Sequence, residues 1–210
     1  AEKFKGIKPM LLRPTNREVD AINERELNNL VKQTGNQIQT YKITPISVNA
    51  KKIETVAKME AIPLEVDMVV GAQIIITTNI SLGNDQYISN GSMGLVLEMY
   101  PNHIMIELVG GAIIKLEYQK VLDPDCNEDV KPVFLFEYLP IRLGFSISIH
   151  RAQGCSVDCM SVDISKNFTV SQGYVAISRV RTLAGLQITG MKRNSFKADP
   201  KVIEFYARHT

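Results

Sequence analysis

The chain begins with a short, mostly apolar run from Lys8 to Arg13, which Pro14 halts, and this pattern predicts a buried strand. Thr15 followed by Glu18 predicts a capped helix start, because a hydroxyl and a carboxylate at this spacing reach backbone amides left free in the first turn. Val19, Ile22, Leu27, Leu30 and Val31 continue at roughly helical spacing, and Gly35 supplies the stop. Strand, tight turn and capped helix make one unit of an α/β layer. Gln37 to Thr44 then reads as a strand, Lys52 to Met59 as a short helix, and Pro63 closes the segment.

From residue 66 the pattern shortens to β segments, at Ala72 to Thr78, Gly94 to Met99, Ile104 to Val109 and Ala112 to Tyr118. Asn90-Gly91 and Gly110-Gly111 are turn signals, the second joining its two strands as a tight hairpin. Several strands without a helical stretch predict a small barrel, which Asp123-Pro124-Asp125 and Asn127-Glu128-Asp129 close as a polar exit. The α/β pattern then returns. Ile141 to Ile149 predicts a strand running straight into His150-Arg151-Ala152-Gln153-Gly154, followed by a strand from Cys159 to Ile164 and a helix from Ser171 to Val180. Leu186 to Thr189 predicts a last strand, and Asp199 with Pro200 opens a terminal helix carrying Val202, Ile203, Phe205 and Tyr206.

Charge sharpens this division. The whole chain carries +2, but residues 65–132 hold three Lys, no Arg and ten Asp or Glu, so an insert of −7 interrupts a body of +9. Domains are therefore expected at 1–64 with 133–210, a discontinuous α/β lobe, and at 65–132, an inserted barrel. With 45% hydrophobic and 22% charged residues the composition is that of a globular protein and excludes disordered, collagen-like and coiled-coil classes. No apolar run reaches the ~18 residues of a membrane span, and no targeting signal opens the chain, so no membrane partner is expected. Cys126, Cys155 and Cys159 form no CxxC pair, and with three histidines in all they give no metal-ligand pattern. Free, inert thiols in a reducing compartment are the expectation.

Two segments carry the chemistry. His150, Arg151, Gln153 and Gly154 fall at the carboxyl end of a predicted strand, where open α/β sheets bind ligands. Some 25 residues on, Tyr174-Val175-Ala176-Ile177-Ser178-Arg179 places an arginine near a helix end. The stretches S-I-S-I-H-R-A-Q-G-C-S-V-D (146–158) and Q-G-Y-V-A-I-S-R-V-R-T-L-A-G-L (172–186) resemble motifs V and VI of superfamily-one DNA helicases of the PIF-like and RecD-like group. The resemblance extends to L-L-R-P-T-N-R-E-V-D-A-I-N (11–23) as motif IV, to V-G-A-Q-I-I-I-T-T-N (70–79) and N-G-S-M-G-L-V (90–96) in an inserted barrel, and to the closing D-P-K-V-I-E-F-Y (199–206).

The resemblance implies a RecA-like second lobe, a parallel sheet flanked by helices, with an inserted SH3-like β-barrel. It further implies the C-terminal portion of an ATP-dependent, 5′-to-3′ DNA helicase. Neither G-x-x-x-x-G-K-[ST] nor an Asp-Glu pair occurs in these residues, so ATP with Mg²⁺ is expected to be bound mainly by an N-terminal RecA-like lobe of the same protein. The chain alone is expected to be inactive.

Under this resemblance Arg179 is the candidate arginine finger, because a planar, permanently charged guanidinium meets the charge that spreads over a γ-phosphoryl group in transfer. Gln153 and Gly154 would line the same cleft, with Arg181 as a second phosphate contact or, as its first reading, a surface ion-pair residue. Single-stranded DNA would be contacted by Thr15, Asn16, Ser148, His150 and Arg151, and in the barrel by Asn79, Asn90 and Gly91. Thr15 has an alternative as helix cap, Asn16 and Asn90-Gly91 as turn residues, and Tyr174 as core or stacking support. Ser148 and Arg151 stand where the family has Thr and usually Lys; Ala152 replaces a hydroxyl and receives no role. The helicase part of a relaxase or transposon protein, or a non-catalytic subunit that binds single strands or protein, would carry the same segments.

Overall fold

A computed structural model describes residues 6–83, 86–126, 132–165, 172–192 and 200–209. The chain opens with β1 (Met10–Arg13) and α1 (Asn16–Thr34). Thr15 caps the helix, its hydroxyl accepting from the Glu18 amide at 3.3 Å and donating to the Glu18 carboxylate at 3.1 Å. Gly35, at φ 72°, closes it through a bond to the Val31 carbonyl. The predicted strand at Gln37 to Thr44 is two short ones, β2 (Gln39–Lys42) and β3 (Thr44–Pro45), because the two pieces pair with different partners. Next comes α2 (Ala50–Met59), capped by Asn49 and ended by Ala61 in the left-handed region at φ 52°.

The β-rich stretch holds β4 (Glu65–Met68), β5 (Gln73–Ile76), β6 (Ile80–Gly83), β7 (Gln86–Ile88), β8 (Met93–Tyr100), β9 (His103–Leu108), β10 (Ile113–Glu117) and β11 (Gln119–Leu122). Gly110 and Gly111, both at positive φ, turn β9 into β10 as a hairpin. The sequence pattern did not separate out the β6–β7 hairpin or β11, each of which is completed by pairing rather than by a long apolar run. After β12 (Phe134–Tyr138) the long predicted strand from Ile141 breaks into β13 (Ile141–Leu143) and β14 (Ser146–Ser148). Then follow α3 (Ile149–Ala152), β15 (Met160–Asp163), α4 (Gln172–Ile177), β16 (Leu186–Gly190) and α5 (Pro200–His209). The turn predicted at Asn127-Glu128-Asp129, the start of the helix at Ser171 and the cap at Asp199 lie outside the described residues. The terminal helix forms, yet Val202, Ile203, Phe205 and Tyr206 remain about half exposed.

The strands assemble into a parallel sheet in the order β14-β1-β15-β16 and a five-stranded antiparallel sheet in the order β10-β9-β8-β5-β13. Among the described residues three smaller antiparallel sheets, β11-β12-β3, β2-β4 and β6-β7, complete the strand pairing. Three apolar clusters follow this division: Met10, Leu12, Val157, Met160 and Val162 pack on the parallel sheet, Ile74, Ile76, Val96, Ile104 and Ile106 on the antiparallel one, and Ile53, Val56 and Phe136 where α2 packs on β12.

The two large sheets meet at Gly144. A Cβ there would stand 2.7 Å from the Ile74 carbonyl carbon, so only glycine lets the chain leave β13 against β5 and enter β14 against β1. Buried Gln73 holds this junction, donating to the Lys8 and Gly144 carbonyls at 2.9 and 2.7 Å and accepting from the Lys8 amide at 2.9 Å. The outer edge of β14 is sealed by Asn23 on α1, whose amide donates to the Ser146 carbonyl at 3.1 Å and accepts from the Ser146 amide at 2.9 Å. A side chain thus does the work of a missing strand.

Gln73→Leu conserves size but strands three backbone groups, each worth ~1 kcal/mol or more when left unpaired. Urea melts should show a loss of about 3 kcal/mol; a loss under ~1 kcal/mol would mean that the junction does not depend on this amide.

Candidate functional site

The residues singled out at 146–158 and 172–186 come together through Val157. Its amide donates to the Arg179 carbonyl at 2.9 Å, and its carbonyl accepts from the Arg181 amide at 3.0 Å, so the segment after Gly154 pairs with the segment after α4. The sequence carries no sign of this pairing, because Val157 reads only as one apolar residue in a turn.

At the front of the site, Ser148 is buried and caps α3, its hydroxyl accepting from the Arg151 amide at 3.4 Å. His150 and Gln153 are exposed, and Arg151 approaches Asp20 of α1 at 3.7 Å. Gly154, at φ 80°, has open space where a side chain would be. His150, Arg151, Gln153 and Asn90 line one cleft of about 330 Å³, together with Asn23 and Arg142. Asn79 lines a neighbouring cleft that shares Glu60, Ile62, Thr78 and Tyr138 with the first. Thr15 and Asn16 line neither; Thr15 serves as the helix cap, and Asn16 is the exposed first residue of α1.

The turn between β7 and β8 presses directly on this loop. Asn79 accepts from the Asn90 amide at 2.8 Å, Asn90 accepts from the Cys155 thiol at 3.2 Å, and the Asn90 carbonyl receives the Ser156 amide at 3.4 Å. Gly91, at φ 94°, lies so close that a Cβ would meet Ser156 backbone atoms at 2.6–2.8 Å. Asn90-Gly91 is therefore a turn whose glycine is required twice, by its own conformation and by its neighbour. Cys155 and Cys159 are buried; burial pushes both thiols up, that of Cys159 to about 11, so neither is a ready thiolate at neutral pH.

The two arginines differ sharply. Arg181 donates to Asp158 at 3.2 Å, to Ser89 at 2.7 Å and to Ser92 at 3.2 Å, while the other oxygen of Asp158 accepts from the Met93 amide at 2.9 Å. Its guanidinium ties the loop before β15 to the turn between β7 and β8, an ion-pair role in keeping with its first reading. Among the described residues the Arg179 side chain bonds only within its own segment, to the Val175 carbonyl at 3.2 Å and the Ser178 hydroxyl at 3.0 Å, and no carboxylate pairs with it. It lies outside the cleft of His150. Tyr174 is 68% exposed and supports no core. Sequence reasoning missed Asn23, Gln73 and Asp158, since a buried amide or carboxylate looks like any surface one until its partners are in place.

A four-stranded parallel sheet with helices, and a site at the carboxyl end of an edge strand, define an α/β protein that fits the RecA-like fold. In sequence and backbone together, the chain resembles the PIF1-type DNA helicases over nearly all its length. It is 26% identical to the ATP-dependent DNA helicase PIF1 of Xenopus laevis over 192 residues, which is 90% of this chain and 28% of that protein. The Pif1 helicase structure from Candida albicans superposes with a TM-score of 0.69 at 27% identity, covering 98% of this chain and 50% of that one. Bacteroides Pif1 bound to single-stranded DNA shares the fold at a TM-score of 0.63 and 24% identity, over 96% of this chain and 45% of that one. The chain thus spans about half the length of these solved helicases and under a third of the Xenopus protein. No family model matches it.

Arg181→Ala strands a carboxylate that is only 13% exposed and two hydroxyls, so a loss of about 2 kcal/mol is expected in thermal or urea melts. Arg179→Ala, which breaks only local contacts, should stay within about 0.5 kcal/mol. Equal losses would mean that Arg179 also belongs to the scaffold.

Proposed function

We propose that this chain is the second RecA-like lobe, with an inserted SH3-like barrel at 65–132, of an ATP-dependent 5′-to-3′ DNA helicase. It binds single-stranded DNA and supplies the arginine finger to ATP held with Mg²⁺ mainly by a first lobe of the same protein. The similarity to helicases supports the class. The single observation that carries the finger is the guanidinium of Arg179, a permanent charge with no carboxylate partner among the described residues, beside an Arg181 that bonds Asp158, Ser89 and Ser92.

The residues present fit a triphosphate approached from outside. Gly154 leaves open space for a close backbone approach, Gln153 is exposed next to it, and Arg179 is restrained by two bonds that still leave it other donors. When bound, ATP supplies the γ-phosphoryl group whose developing charge a planar guanidinium meets. Ser178 and the Val175 carbonyl hold Arg179 toward one side of α4, so little rotamer freedom is lost when the lobes close. His150 and Arg151, at the cleft, contact the strand through an imidazole and a guanidinium, and Ser148 positions both by capping α3. The barrel, with a charge of −7, acts as a shaped clamp on that loop rather than as a broad phosphate-binding face.

The purified 210-residue chain should therefore hydrolyse no ATP. In the full-length protein Arg179→Ala should cut DNA-stimulated hydrolysis by at least ~100-fold, within the range known for arginine fingers. Single-strand affinity without nucleotide should stay within about threefold, since the residue meets the strand only through the nucleotide cycle. Lys at this position should rescue poorly for want of the planar fork. Parallel ATPase titrations and fluorescence-anisotropy binding read both quantities; losses in equal proportion would assign Arg179 to the DNA channel or the fold.

A further inference from the structure

We propose that Arg142, which lies outside every motif named above, binds a backbone phosphate of the single strand where the two sheets meet; this rests on the single-strand reading of the His150 cleft. Arg142 is the middle residue of β13, opposite Ile75 of β5, and its side chain lines the same cleft as His150, Arg151, Gln153 and Asn90. A guanidinium has five N–H donors. The one described hydrogen bond of Arg142 goes to the Ala61 carbonyl at the end of α2. Among the described residues no fully buried side-chain donor lacks a partner, so the remaining donors of Arg142, a lining residue of the cleft, keep some exposure to solvent.

No carboxylate among the described residues forms an ion pair with this charge. Of the acids nearby, Asp20 is taken by Arg151 at 3.7 Å, and Glu60 lines the cleft without pairing with Arg142. Burial, reinforced by the charge of Arg151, pushes the guanidinium down to about 10 against the opposing pull of Asp20, so Arg142 stays charged at neutral pH but in a setting that disfavours the charge. A residue needed only to tether Ala61 could do so with a neutral amide. A half-buried cation without a protein counter-ion is instead relieved by an external anion, and the planar fork suits two phosphate oxygens.

The shape of the site favours a phosphodiester chain over a free phosphate. The His150 cleft runs into the second cleft through the shared Thr78, Tyr138, Glu60 and Ile62, and that second cleft carries Asn79 and Lys120. An elongated groove with cations at intervals, Arg142 without an ion-pair partner among the described residues, and Arg151 and Lys120 in long, partly exposed pairs with Asp20 and Glu137 at 3.7 and 3.8 Å that contribute little to stability, matches successive phosphates of one strand.

The test uses the 210-residue chain and a fluorescein-labelled oligo-dT of 12 nucleotides, with affinity read by anisotropy across a salt series for wild type, Arg142→Gln and Arg142→Lys, and folding checked by thermal melts. Losing one phosphate contact should lower the salt slope by ~0.7 and weaken binding ~10-fold at low salt in Arg142→Gln. Arg142→Lys should restore the slope and part of the affinity. Uncharged methylphosphonate linkages in the oligonucleotide should erase the difference between wild type and Arg142→Gln, and tripolyphosphate at equal phosphate concentration should compete poorly. A folded Arg142→Gln with wild-type slope overturns the proposal alone, as does effective competition by tripolyphosphate. Absence of single-strand binding by wild type overturns it together with the reading on which it rests.

Discussion

The site depends on one discontinuity in the backbone. Leu143 ends a strand of the antiparallel sheet, Ser146 begins one of the parallel sheet, and only Gly144 and Phe145 lie between. The crossing is possible because Gly144 leaves no Cβ against Ile74, and it is held because Gln73 satisfies the carbonyl of Gly144 and both backbone groups of Lys8. From there the placement of β14 sets the start of α3, and with it the side chains of His150 and Arg151. An error at Gly144 would move every one of them, because a sheet strand shifts in whole residues and not by degrees.

The same economy of polar contacts joins the turn between β7 and β8 to the loop between α3 and β15. Asp158 and Arg181 engage Met93, Ser89 and Ser92, while Gly91 and Asn90 press on Ser156 and Cys155. A Cβ at Gly91 would meet Ser156 backbone atoms at 2.6–2.8 Å, so a displacement of either segment at this contact is felt by the other.

Much of this was legible in the sequence. The capping pair Thr15 and Glu18, the helix stop at Gly35, the hairpin at Gly110-Gly111 and the terminal helix after Pro200 all rest on local backbone chemistry, which neighbouring residues suffice to express. The order of motifs also pointed to the resemblance to PIF-like helicases, which holds over 90% of the chain at 26% identity to the Xenopus laevis protein. The charge division pointed to an insert, although the antiparallel sheet draws β13 from beyond residue 132.

What only the tertiary structure decided concerns partners distant in the chain. Ile141 to Ile149 is one apolar run by composition, and its division between two sheets is set by Ile74 and Leu11, some 70 and 135 residues away from their partners. Arg179 and Arg181 are two residues apart and chemically identical, yet Arg181 reaches Asp158, Ser89 and Ser92 while the Arg179 side chain bonds Val175 and Ser178, a difference that no local pattern expresses. Arg142 has no local signature at all: its environment is assembled from Glu60 and Ala61 at the end of α2 and Arg151 on α3. Local sequence determines which backbone geometries are cheap; burial and charge depend on what the rest of the chain brings within a few ångströms, and that is settled only when the sheets close on each other.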